Sequence, residues 1–183
     1  MHSPVFSAAG LLPAGDYVMT FPQLRGSMLV KGPTSGSPNW DAPWRGRLVD
    51  NLNSVVRTLW ELGIEYVIID GSFVEQKDHP NDIDAYFPVT AKRWVSREVE
   101  RELNRKRSEN VWTWDWRYAS VPVDPRVPHR RLPFWHKYRI DLFPNFGAKA
   151  ILHERLGWLT FEDGFRHTRS GAPKGVVKVL RPG

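Results

Sequence analysis

The chain has 183 residues with a net charge of +6, 41% hydrophobic and 13% aromatic residues, and nine Trp. That length is ordinary for one domain, able to bury roughly 70% of its unfolded surface, and that composition excludes a disordered chain. The absence of Cys excludes disulfides, zinc-thiolate sites, iron–sulfur clusters and a Cys nucleophile.

No apolar run approaches the ~18 residues of a membrane span, and Met1 to Leu12 carries no basic start of a secretory signal. A protein without membrane contact, in the cytoplasm, is the expectation. Residues 1–30 show no strong period. The stretch Lys31 to Pro38 (KGPTSGSP) reads as a linker, dividing an N-terminal segment, 1–38, from a domain over 39–183. After Asn39 to Pro43, Leu48, Leu52, Val55, Val56, Leu59 and Trp60 form one stripe of an amphipathic helix, ended by Gly63. Ile64 to Ile69 reads as a strand, and Asp82 to Phe87 as a second. Residues 91–107 predict a charged helix, with a strand over Val111 to Ala119. The Trp112, Trp114 and Trp116 stripe of that strand reads as core, with base stacking as the other reading. A Pro-rich basic loop follows, Val121 to Pro133. A strand over Lys137 to Phe143, a helix over Ala148 to Leu159 and a strand over Gly175 to Leu180 complete an α+β chain around one mixed sheet flanked by helices.

Chemistry concentrates between Asp70 and Phe87. Gly71 lets a backbone approach a ligand without a Cβ in the way, and a helix starting at Ser72 would offer free N–H groups to phosphate. Nine residues after Gly71-Ser72 come Asp82 and Asp84. On a strand, positions i and i+2 share a face with Cα atoms about 6.6 Å apart, which suits hard cations between two carboxylates. Mg²⁺ fits such oxygen ligands, with Mn²⁺ as an alternative. An Asp-x-Asp pair alone reads more simply as a solvated strand face; its conjunction with Gly-Ser between two strands is what points to a site.

Gly71-Ser72, nine residues, then Asp82-Ile83-Asp84-Ala85 resembles the signature of the DNA polymerase beta-type nucleotidyltransferase superfamily, and more narrowly of its small stand-alone members. The likeness covers roughly Arg45 to Phe87; Asp70 departs from it, standing where the superfamily has an apolar residue. The resemblance implies that superfamily's fold and Mg²⁺-dependent transfer of a nucleoside monophosphate from an NTP to an acceptor. It implies Asp82 and Asp84 as metal ligands, with Gly71 and Ser72 holding the β,γ-phosphates. Lys77 would neutralise the departing pyrophosphate, or is simply an exposed loop residue. A third carboxylate is expected on a later strand. Asp141, between Ile140 and Leu142, fits best, with Asp115 and Asp124 as rivals; it would complete the metal site and help deprotonate the acceptor.

Arg126, Arg130, Arg131, Lys137 and Arg139 precede or flank Asp141, with Phe134, Trp135 and Tyr138 among them. They read as an acceptor surface for RNA or as an ordinary basic loop. Acceptor contacts are expected at Arg130, Arg131, Lys137 and Arg139. Stand-alone members of the superfamily include toxins that modify tRNA, antitoxins that modify a partner protein and antibiotic adenylyltransferases. The basic balance favours RNA, with a cognate antitoxin or operon partner conceivable. A catalytically inactive nucleotide- or RNA-binding module is the rival class.

Overall fold

A computed structural model describes residues 4–34 and 36–181. Residues 1–3, Ser35 of the expected linker, and 182–183 lie outside it. In chain order the elements are β1 (Asp16–Met19), α1 (Phe21–Gly26), α2 (Met28–Lys31), α3 (Ala42–Glu61) and β2 (Tyr66–Asp70). A 3₁₀ turn (Gly71–Val74) leads to β3 (Ile83–Pro88), α4 (Ala91–Val95) and α5 (Glu98–Arg107). After a second 3₁₀ turn (Trp116–Tyr118) come α6 (Pro133–Tyr138), β4 (Ile140–Asn145), β5 (Lys149–His153), β6 (Gly157–Thr160), α7 (Phe161–Phe165) and β7 (Val176–Leu180).

The architecture is α+β around a mixed five-stranded sheet in the order β1-β7-β2-β3-β4. β1 runs parallel to β7 and β4 parallel to β3, while β2 is antiparallel to both of its neighbours. One face, carrying Val67, Ile69, Ala85, Phe87, Leu142, Val177 and Val179, packs on the apolar stripe of α3 and on Val99 and Leu103 of α5. The other face carries Ile68, Tyr86 and Val176, covered by Phe165 and Phe161 of α7 and Ile151 of β5. No helix among the described residues is long and apolar enough to cross a membrane.

Several elements differ from the sequence reading. The N-terminal stretch supplies β1 at one sheet edge and buries Leu12, Leu24 and Leu29 in the main core. Thr20 and Gln23 form a capping box that starts α1, a signal the apolar period does not carry. The single helix over 91–107 is two helices, broken where Arg97 takes φ +53°. The strand over Val111 to Ala119 does not form. Trp114 instead donates its indole N–H to the Leu142 carbonyl at 2.6 Å, occupying the edge of β4. Of that Trp stripe, Trp112 is core and Trp116 is 54% exposed.

Lys137 and Tyr138 end α6, which Pro133 starts; Arg139 turns left-handed (φ +55°) before β4. The helix over 148–159 is the β5–β6 hairpin. Its turn is built by the His153 ring nitrogen Nδ1, which accepts the N–H groups of Arg155 and Leu156. Gly63 ends α3 as read, at φ +78°, with the Ile64 N–H reaching back to the Leu59 carbonyl.

The start of α3 also fixes the loop between β2 and β3. Asp41 caps the helix through the Trp44 N–H and meets the His79 ring at 2.8 Å; Trp44 donates to the Pro80 carbonyl. Arg45, fully buried, donates to the carbonyls of Leu29 and Phe73 at 2.7 Å, Lys77 at 2.9 Å and Glu75 at 3.0 Å. Its guanidinium lies 4.0 Å from the Trp40 ring centroid. Burial pushes its pKa down to about 9, so it stays charged at neutral pH.

Arg45→Met should strand the carbonyls of Leu29 and Phe73, whose bonds to Arg45 are buried, at about 1–3 kcal/mol each. The melting temperature should fall by about 10 °C, and Arg45→Lys should not rescue it, because one ammonium cannot span the set. A thermal melt of both variants checks this.

Candidate active site

Strand register brings the acidic residues together. Asp70 on β2 is opposite Asp84 on β3, and Asp84 is opposite Asp141 on β4. Partners in such ladders stand about 5 Å apart and face the same way. The three carboxylates therefore form a row across adjacent strands, on the face opposite Ile69, Ala85 and Leu142. Asp82, two residues before Asp84, joins that side immediately ahead of β3.

Gly71 borders the row. Its φ is +73°, and a Cβ there would lie 1.8 Å from Oδ2 of Asp84. Only glycine combines the left-handed turn with room for that carboxylate.

Two cations press on the cluster. The Nζ of Lys174, itself buried, lies 2.9 Å from Oδ1 of Asp70 and 2.9 Å from Oε1 of Glu75. Arg131 places Nε 3.5 Å from Oδ2 of Asp141 and Nη2 4.0 Å from Oδ2 of Asp82. The Trp135 indole donates to the same oxygen of Asp82 at 2.7 Å. Among the described residues, no cation pairs with Asp84.

These surroundings raise the acids' affinity for protons. Burial, then repulsion from Asp82, Asp141 and Asp70, holds the Asp84 carboxyl well above the usual range. Burial lifts Asp141 to about 6 against the pull of Arg131, and lifts Asp70 to about 6 against that of Lys174.

Asp70, Asp82, Asp84, Arg131 and Lys174 open on a cleft of about 880 Å³. The loop from His167 to Ser170, Ile151 and Phe165 also line it. Two other grooves, of about 830 and 780 Å³, contain no such cluster. Among the described residues, no three His, Cys, Asp or Glu side chains are grouped closely enough to hold a metal ion. The donor chemistry nonetheless suits Mg²⁺, which takes one or two carboxylates and completes its shell with water and phosphate oxygens. The space that a Cβ at Gly71 would fill is kept for one of those carboxylates.

Gly71 and Ser72 lie at the cleft in a four-residue 3₁₀ turn, and Lys77 lies exposed at its rim. Asp82, Asp84 and Asp141 are neighbours. Asp115 and Asp124 are elsewhere, each tied to its own arginine, Arg117 and Arg126.

The four basic residues expected to meet an acceptor do not form one open strip. Arg131 is inside the cluster. Arg139 is 3.8 Å from Asp124 and stacks on Trp135, and Lys137 is 2.9 Å from Glu109. Arg130 donates to the Ala119 carbonyl. Glu75, Lys174 and the His167–Ser170 loop belong to the site without a sequence signal; Trp135 is in the sequence reading part of an acceptor surface, and Asp70 a departure from the resemblance. The signal at Asp70 is its charge at the end of an apolar strand.

A family of unknown function, DUF6932, matches residues 4–180. The chain belongs to that family. No curated protein and no solved structure matches it. The DUF6932 match spans β1 to β7, so it includes every residue of the acidic cluster and both of its cations.

Gly71→Ala should cost about 3 kcal/mol, from the left-handed backbone and from the clash with Asp84. The loss should shrink in an Asp84→Ala background, where the clashing carboxylate is gone; a double-mutant cycle of thermal melts reads that coupling.

Asp84→Asn should raise the melting temperature of the metal-free protein by about 4 °C, because it removes an unpaired charge from the row. Asp70 and Asp141 bind protons more tightly folded, near pH 6, than unfolded, near 3.9. Their stabilising contribution is full below about pH 4 and is lost as pH rises through 6. Metal-free protein should accordingly melt higher at pH 5 than at pH 7.5 in a pH series of calorimetric scans.

Proposed function

We propose that this chain is a nucleotidyltransferase that uses a divalent cation to move a nucleoside monophosphate from an NTP to an acceptor hydroxyl. The observation that carries this reading is the row Asp70–Asp84–Asp141, with Gly71 cleared of side chain against Asp84. Structural ion pairs do not call for three like charges in register, whereas a cation held against phosphates gives such charges a use. The mixed sheet flanked by helices is consistent with the polymerase beta-like fold that the Gly-Ser…Asp-x-Asp pattern implies.

Mg²⁺ or Mn²⁺, held by Asp82 and Asp84 or by Asp84 and Asp141, would supply charge neutralisation at the reacting phosphate. The chain's own groups do the rest. Ser72 and the backbone at Gly71 meet the triphosphate at the cleft floor, with Lys77 at the rim beside the departing pyrophosphate. Asp141, opposite Asp84 across the ladder, would take the acceptor's hydroxyl proton. The acceptor oxygen then bonds to the α-phosphorus, and the bond from that phosphorus to the β-phosphate oxygen breaks. The Trp135 indole keeps Asp82 oriented throughout.

RNA, tRNA first, is the acceptor favoured by the net charge of +6, which would suit a cytoplasmic toxin with a cognate antitoxin. A protein or small-molecule acceptor has one observation in its favour: Arg131, Lys137 and Arg139 are engaged with acids of this chain. An inactive binding module is disfavoured by the intact acids.

Pure protein incubated with Mg²⁺, each labelled NTP and total RNA should place label in RNA, and Asp84→Asn or Asp141→Asn should lower it about 10³-fold. Label in protein instead would favour the second acceptor reading. No label under any NTP, with wild type and the Asn variants indistinguishable, would remove the enzyme reading.

A further inference from the structure

We propose that Arg131 is the built-in counter-ion of the aspartate cluster, and that a divalent cation binds there by displacing its guanidinium. This rests on the metal-dependent reading above and adds a positioning residue to it.

The geometry distinguishes Arg131 from the other cation. Lys174 is 6% exposed at its side chain, donates to Glu75 Oε1 at 2.9 Å and pairs with Asp70 Oδ1 at the same distance. The Arg131 side chain is 23% exposed, and its contacts to Asp141 and Asp82 are longer, at 3.5 and 4.0 Å. Its Nε is buried yet donates no hydrogen bond. A guanidinium normally forms paired, charge-assisted bonds to carboxylates at about 2.7–2.9 Å. Arg131 therefore screens two acids without closing on either.

The surroundings let the side chain leave without rearranging the site. The Arg131 backbone is fixed by two hydrogen bonds to Ser120, at 2.9 and 2.7 Å, so only the side chain needs to move. Asp82 keeps its orientation through Trp135 Nε1. Arg131 already lies over the Trp135 ring, 5.6 Å from its centroid, which offers the guanidinium an alternative contact.

The charges agree with exchange rather than addition. Lys174 shares one positive charge between Asp70 and Glu75, and Arg131 shares one between Asp82 and Asp141. Asp84 is left uncompensated between them. A divalent ion replacing Arg131 brings one more positive charge to the acids that lack it. With Arg131 in place, a guanidinium and a metal would stand within a few ångströms of each other and repel.

Binding of Mn²⁺ alone, without nucleotide, tests this by titration calorimetry and by the electron paramagnetic resonance signal of free Mn²⁺ at fixed ionic strength. R131M should bind Mn²⁺ at least about tenfold more tightly than wild type, and R131K should be intermediate. Metal-free R131M should melt below wild type and gain more on adding Mn²⁺. D84N should bind weakly in either background. If R131M is too unstable to titrate, R131K carries the comparison. Saturable binding to wild type that is equal or weaker in R131M, or in R131K when it stands alone, overturns the proposal and leaves the metal-dependent reading standing. No saturable Mn²⁺ binding by wild type, R131M or R131K overturns both.

Discussion

Three aspartates opposite one another on neighbouring strands repel, and much of this structure can be understood as a response to that repulsion. Like charges directly across a ladder are destabilising even at a solvated surface. Here burial strengthens the repulsion, since the charged form of Asp84 loses water as well as gaining like neighbours. The chain answers from outside the three strands. Lys174 arrives from the segment before β7 and meets Asp70; Arg131 arrives from the Pro-rich loop and leans on Asp82 and Asp141. Neither reaches Asp84. Natural chains tolerate such a deficit where function needs the charge, and stability is given up there.

The second constraint is the loop between the aspartates of β2 and β3. Residues 71–82 have only the short 3₁₀ turn and one isolated bridge, Glu75 to Leu11, to satisfy their backbone, and buried carbonyls without partners are costly. Arg45 resolves this with one side chain. Its planar fork can serve several carbonyls at once, which an ammonium cannot, and the Trp40 and Phe73 rings cover its faces. Asp41 and Trp44, one turn of helix away, fasten the loop's far end at His79 and Pro80. The first turns of α3 thus fix the path between Gly71 and Asp82, which is why the sequence signature and its preceding helix form one unit.

That local unit is what the sequence made legible. The amphipathic stripe of α3, the terminal Gly63, strands near 64–69, 82–87 and 175–180, and the Gly71-Ser72…Asp82-x-Asp84 cluster all follow from periods and turn chemistry within short windows. The apolar neighbours Ile140 and Leu142, buried on the other face, single out Asp141 among the later carboxylates, while its register opposite Asp84 comes only from strand pairing. What the sequence concealed depends on distant partners. Trp112 to Trp116 alternates like a strand, yet an indole occupies the strand edge it would need. Residues 148–159 have helical composition, yet Ile151 and Leu159 pair across a hairpin. Arg131 looks like its basic neighbours in sequence, and only the bridge from Ser120 to Arg131 reveals where it points.

The hairpin and α7 explain why the acidic end of the sheet is open at all. The face that carries the aspartates is apolar further along, at Ile68, Tyr86 and Phe143, and cannot be left bare. Phe165 packs edge-on to Tyr86 at 5.2 Å, and Phe161 stacks on Phe143 at 4.9 Å. This seals the apolar end with a few large rings and stops short of the carboxylates. The chain must then return to the sheet centre to form β7, between β1 and β2. On that return it passes the cleft, contributes His167 to Ser170 to its lining, and delivers Lys174 to Asp70. A small aromatic cap and a short return loop therefore do two jobs: they bury the apolar part of a two-faced sheet, and they supply part of the lining and one cation of the candidate site. The cleft is the part of that face which the cap leaves open, because charges in register there cannot be covered by apolar side chains without a far larger desolvation cost.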